Sequence, residues 1–190
     1  MTLRKLSLFL LLCLFLIGCA SVLDDYTPAS FTVDGEQAVM SGIIDGTTPE
    51  RVEELIDEHP EVTTIVMQEV DGSADDEANV MAARLVRQHG FYTHVPADGM
   101  IASGGVDFFL AGVERTVDTG AKLGVHSWAG NDVTGDQVPR DDPQHKLYLD
   151  YYAEMGIPAE FYWFTLQAAP AEDIHYMTSA EIAQYQITTR

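Results

Sequence analysis

The stretch IASGGVDFFLAG, residues 101–112, changes its period at the third letter. Ile101 and Ala102 end an apolar, strand-like run, whereas Val106, Phe109, Leu110 and Val113 recur at i, i+3, i+4 and i+7, the spacing of a helix with one buried face. Between the two lies Ser103-Gly104-Gly105. A helix that starts directly after a strand points free backbone N–H groups beyond the strand's carboxyl end, where α/β folds gather their reactive groups. Ser103 is therefore a candidate nucleophile.

Outward from this turn, strand and helix signals alternate. QAVMSGIID (37–45) reads as a strand, and TTPERVEELIDEHP (47–60) as a helix with Thr48 as cap, Pro49 at the first helical position and Pro60 as stop. EVTTIVMQEV (61–70) is a β-branched buried strand; DGSADD (71–76) turns into the helix EANVMAARLVRQHG (77–90), closed by Gly90. FYTHV (91–95) and AKLGVHSW (121–128) supply further strands, an acidic loop covers 129–143, and helices are predicted over Gln144–Met155 and Pro158–Gln167. Such alternation within one domain means an α/β fold with parallel pairings. Three strands then end at a glycine turn, at Ser103 and at His126, and all three ends can share one edge. Gly72 and Gly104 are the natural oxyanion donors there, because a residue without Cβ lets a carbonyl approach the backbone.

At the amino end, Arg4 and Lys5 precede an apolar run from Leu6 to Ile17, too short for a spanning helix. It reads as an export signal over residues 1–18, and Leu16-Ile17-Gly18-Cys19 looks like a lipobox. Cys19 would be acylated, residues 19–30 would form the lipidated N-terminus and tether, and 31–190 the folded domain. Acyl chains bind a membrane durably, at about 0.8 kcal/mol per buried CH₂. With no aspartate directly after Cys19, the periplasmic side of the outer membrane is the expected location. Cleavage would leave 8 basic residues against 30 acidic ones, a formal charge of −22, which argues against nucleic acid as a partner. The other cysteine, Cys13, falls in the removed segment, so no internal disulfide forms.

Several of these segments resemble one superfamily. GMIASGGVDFFLAG (99–112) is similar, without a gap, to the nucleophile segment of the Clp protease proteolytic subunit, and its A-S-G-G tetrad also looks like signal peptide peptidase. LGVHSWAG (123–130) resembles the segment carrying the Clp catalytic histidine, and the run 66–90 sits where the superfamily has a strand, a glycine turn and a helix. The resemblance spans about Val39 to Ile187 and looks strongest to bacterial periplasmic ClpP-like lipoproteins. It implies a ClpP/crotonase-like fold of repeated β-β-α units with largely parallel strands. The roles it implies are Ser103 as nucleophile, His126 as general base and Gly72 with Gly104 as the oxyanion hole. EDIHYMTSAEIAQYQI (172–187) looks like the region that bears the triad acid, which points to Asp173, with His175 beside it.

Asp107 stands one helical turn after Ser103, where the Clp pattern has an apolar residue. A carboxylate there either pairs with His126 as the alternative acid, titrates high, or reaches a water-filled crevice. Glu69 and Asp71 replace part of the Clp glycine turn and put negative charge beside the presumed oxyanion hole. His59, His89 and His94 read as satisfied or solvated, no metal or cofactor site is expected, and Lys146 reads as a surface charge. EFYWF (160–164) could form a substrate rim, but an aromatic-rich helix reads rather as core or as a contact in a homo-oligomer. The function expected is a membrane-anchored serine hydrolase acting on peptides or a small acyl substrate. The alternative is a catalytically inactive envelope lipoprotein of the same fold that binds a peptide or partner.

Overall fold

The computed structural model describes residues 26–130 and 133–190; the export signal, Cys19 and most of the expected tether lie outside the described residues. The domain opens with a hairpin of β1 (Ser30–Asp34) and β2 (Gln37–Ser41). Packing begins before residue 31: Ala29 is fully buried and its N–H donates to the Ile43 carbonyl at 2.7 Å. Then follow α1 (Thr48–Glu58), β3 (Thr64–Val70), α2 (Asp76–His89), β4 (Tyr92–Val95), β5 (Met100–Ala102) and α3 (Gly104–Phe109). The remaining elements are β6 (Arg115–Val117), β7 (Lys122–Val125), α4 (Lys146–Met155), α5 (Ala159–Ala168), β8 (His175–Tyr176) and α6 (Ser179–Gln184).

The strands run in the order β1-β2-β3-β5-β7-β8, and β4 branches from β3 to carry β6. The branch arises because β3 uses one edge twice. Its first half, Thr64 to Val66, pairs with β4, and its end, Glu69 and Val70, pairs with β5. The ladders β2/β3, β3/β4, β3/β5, β4/β6 and β5/β7 are parallel, while β1/β2 and β7/β8 are antiparallel. The fold is thus α/β with a mixed sheet, and its hairpin and closing strand depart from a plain series of β-β-α units. One consequence governs the site. β3, β5 and β7 are parallel neighbours, so the residues after their carboxyl ends, Gly72, Ser103 and His126, come out on one rim.

Local chemistry fixes the helices. Asp75 caps α2 by accepting from the Ala78 N–H at 3.0 Å, and Gly90 ends it at φ 88°. α3 is shorter than the periodicity predicts. Phe108, Phe109 and Leu110 are fully buried, each aromatic contributing about 2–3 kcal/mol, but Val113 is 41% exposed because the chain has already turned towards β6. α4 starts at Lys146 because Pro143–His145 forms a tighter turn capped by Asp142. α4 and α5 then close one side of the rim with Tyr151, Tyr152, Phe161 and Tyr162 in the core.

Candidate functional site

Ser103 sits where β5 becomes α3, tied to β7 by its N–H donating to the Gly124 carbonyl at 2.9 Å. Its backbone lies at φ 52°, ψ −127°, a conformation that costs a residue with a Cβ about 1–3 kcal/mol. The neighbours enforce it. A Cβ on Gly105 would lie 2.3 Å from the Val70 carbonyl oxygen, and one on Gly104 would lie 2.3 Å from Ser73 Oγ. The start of α3 is therefore pressed against the end of β3, and Asn79 Nδ2 holds the Gly104 carbonyl at 2.8 Å. Gly72, at φ 154°, abuts the serine: a Cβ there would lie 3.5 Å from Ser103 Cβ. Among the described residues neither the Gly72 nor the Gly104 N–H donates to another backbone group.

Ser103 and Gly104 line a cleft of about 230 Å³ together with Ser73, Asp76, Asp107, His126, Trp128 and three tyrosines, Tyr148, Tyr152 and Tyr162. His126 follows β7 and is half-buried, as its place on the rim requires. Its Nδ1 is buried with no hydrogen-bond partner, and among the described residues no hydrogen bond joins it to Ser103. The other orphaned buried side-chain atom is Asn79 Oδ1, on the residue that holds Gly104. Both orphans flank the serine turn.

Neither acid named from the sequence meets His126. Asp173 is exposed and its Oδ1 accepts from the Ile174 N–H at 2.8 Å. The antiparallel pairing of β8 sets His175 opposite Val125 and leaves Asp173 in the loop before the strand. His175 turns to Glu181 at 3.0 Å. Asp107 does line the cleft, but its Oδ1 accepts from Tyr152 at 2.5 Å, and Tyr151 donates to its carbonyl at 2.6 Å. Burial pushes its carboxyl up to about 7, with Asp76 adding to the rise and the Tyr152 hydroxyl opposing it. Asp107 thus faces the cleft hydrogen-bonded to Tyr152 rather than to His126. Among the described residues no three His, Cys, Asp or Glu side chains converge to hold a metal.

The remaining walls went unread in the sequence. Asp76 accepts from the Ser73 and Tyr148 hydroxyls, and Tyr148 and Tyr152 are one turn apart on α4. Tyr162, from the stretch weighed as substrate rim, core or subunit contact, is both buried in the core and on the border of the cleft. Its hydroxyl accepts from Trp128 Nε1 at 2.8 Å and donates to His145 Nδ1 at 2.6 Å. The His145 Nε2–H then donates to the Pro139 carbonyl at 3.1 Å, which pins the acidic loop to the same wall. The i, i+4 tyrosines of α4 were the available signal, but only the fold brings them opposite Asp76 and Asp107.

No protein-family model matches the chain, and no curated protein matches it in sequence. Solved structures match its fold. A lysine-to-alanine variant of the 1510-N membrane-bound stomatin-specific protease in complex with a substrate peptide is similar at TM-score 0.51 and 14% identity, covering 77% of this chain and 71% of that one. A serine-to-alanine variant of the same protease gives 0.53 and 13%, covering 83% and 80%. An enoyl-CoA hydratase from Polaromonas sp. JS666 gives 0.52 and 10%, covering 85% and 69%. At such identities the likeness carries the fold alone.

Proposed function

We propose that this protein is a peptide- or partner-binding module on a crotonase/ClpP-like fold, holding a carbonyl-bearing segment in the cleft at Ser103 without turning it over. The observation that carries this reading is the state of His126. A serine–histidine pair needs an acid or carbonyl on the second ring nitrogen to fix its tautomer and stabilise the imidazolium, and His126 Nδ1 has none. Both candidate acids are engaged elsewhere. What supports binding is the pair of glycine N–H groups left free beside the serine, which suit a ligand carbonyl as well as an oxyanion.

One observation favours a second reading, serine hydrolysis. The strained backbone of Ser103 is the kind of conformation retained at nucleophile turns, where strain is part of function. In that reading Ser103 Oγ attacks a carbonyl, its proton passes to His126, and Gly72 and Gly104 hold the oxyanion. A fluorophosphonate probe and a defined peptide mixture separate the two. The binding reading expects peptides retained at unchanged mass and no labelling of Ser103. Cleaved peptides, with Ser103 labelling that disappears in His126→Ala, would overturn it. The export signal and Cys19 support placing the module on the periplasmic face of a membrane by a lipid anchor. Fatty-acid labelling that survives Cys19→Ser would refute that placement.

A further inference from the structure

The cleft holds more negative charge than carbonyl binding requires. We infer that it receives a basic side chain, arginine or lysine, from the bound segment, with Asp107 and Asp76 recognising the cation and the rings of Trp128 and Tyr148 walling its stem. This rests on the binding reading above and names the ligand class of the same site.

At about 230 Å³ the cleft is smaller than pockets for whole small molecules, roughly 300–1,000 Å³, and suits a single side chain. Its lining includes two carboxylates and neither a lysine nor an arginine. Neutral donors position both acids: Ser73 and Tyr148 on Asp76, Tyr152 on Asp107. Those hydroxyls orient the carboxylates without neutralising them. Only one oxygen of Asp107 is engaged; among the described residues Oδ2 has no partner, and it is not sealed in as His126 Nδ1 is. A carboxyl that burial holds near neutrality gains most when a cation arrives in the same low-dielectric space. The aromatic wall adds to this. Trp128 and Tyr148 stack at 15° and 6.3 Å, Tyr148 and Tyr162 at 16° and 5.4 Å, and all three line the cleft, so the apolar stem of a lysine or arginine has aromatic carbon to pack against. Anionic ligands are disfavoured by the same carboxylates.

The test offers the immobilised full chain a heptapeptide mixture randomised at every position and sequences what is retained. At about pH 8 and low salt, arginine and lysine should be enriched at one position by about tenfold over leucine or glutamate, the scale of a hydrogen bond to a charged group. Asp107→Asn, which keeps an acceptor for Tyr152, should lower the enrichment severalfold. Wild-type protein at about pH 6 gives a second readout that needs no variant, because most of Asp107 is then protonated. Asp76, His126, Tyr148, Tyr152 and Tyr162 also face the cleft, so the pH effect must shrink in Asp107→Asn for it to be assigned to that residue. Retained peptides without a basic preference, or a preference equal in wild type and variant and at both pH values, overturn the inference and leave the binding reading standing. Retention of no peptide overturns both.

Discussion

Asp107 makes the fold's stability depend on pH in a direction opposite to that of a salt-bridged carboxylate. Its carboxyl titrates near 7 in the folded chain, with desolvation as the main cause, against an ordinary 3.8. Between those values the unfolded chain has released the proton and the folded chain still holds it. The folded state therefore binds more protons, and stability falls as pH rises through this window. With about 1.4 kcal/mol for each tenfold, the penalty from this residue is about 2 kcal/mol at pH 5 and about 4 kcal/mol at pH 8, flattening above 7. Asp107→Asn removes the ionisation and keeps an oxygen for the Tyr152 hydroxyl. Whatever constant offset the substitution brings, the stability of the variant relative to wild type should rise by about 2–3 kcal/mol between pH 5 and pH 8.

Urea denaturation of both proteins at each pH measures this directly, and the difference cancels the titrating groups far from Asp107, leaving Asp107 and its coupling to Asp76. A difference that stays flat across the window, or that falls with pH, would sink the argument, for it would mean that Asp107 ionises at an ordinary value. The outcome bears on function as well. A residue that destabilises the fold at neutral pH is a poor choice for structure and a good one for a site that gains a cation.

Three further outcomes follow from the site's geometry. Gly104→Ala places a Cβ 2.3 Å from Ser73 Oγ and 2.9 Å from Asn79 Nδ2; it should destabilise by about 1–3 kcal/mol, and a urea midpoint unchanged from wild type would refute the tight packing at this turn. Ser103→Gly should be more stable than Ser103→Ala by about 1 kcal/mol, since only glycine adopts φ 52°, ψ −127° freely; equal stability would remove the strain argument. Tyr162→Phe deletes the hydroxyl between Trp128 and His145, leaving Trp128 Nε1 and His145 Nδ1 without that partner, the latter on a histidine that is 1% exposed. It should cost about 1–3 kcal/mol and loosen the 133–143 loop, read as faster amide exchange there than in wild type.

How far the sequence reaches is clearest at the serine turn and at the acids. The period change at Ser103 was legible because strand and helix patterns are local, and the glycines beside it marked where backbone and backbone had to approach. Parallel strands then brought Gly72, Ser103 and His126 to one rim, as the alternation implied. The acids were not legible in the same way. Asp173 was placed by likeness of a segment, yet one turn of chain before β8 suffices to keep its carboxylate on its own backbone. Asp107 was correctly seen as one turn behind the serine, but its partner, Tyr152, lies 45 residues away on α4. No periodicity in α4 says which acid its tyrosines will meet, because that depends on how the helix crosses the rim. The partner decides the chemistry: an acid on His126 would make a general base, whereas an acid on Tyr152 leaves a cleft with charge to offer and a histidine without support. The chemistry on offer accordingly rests less on Ser103, whose backbone suits a nucleophile, than on the two carboxylates, Asp76 and Asp107, which pair with no cation among the described residues.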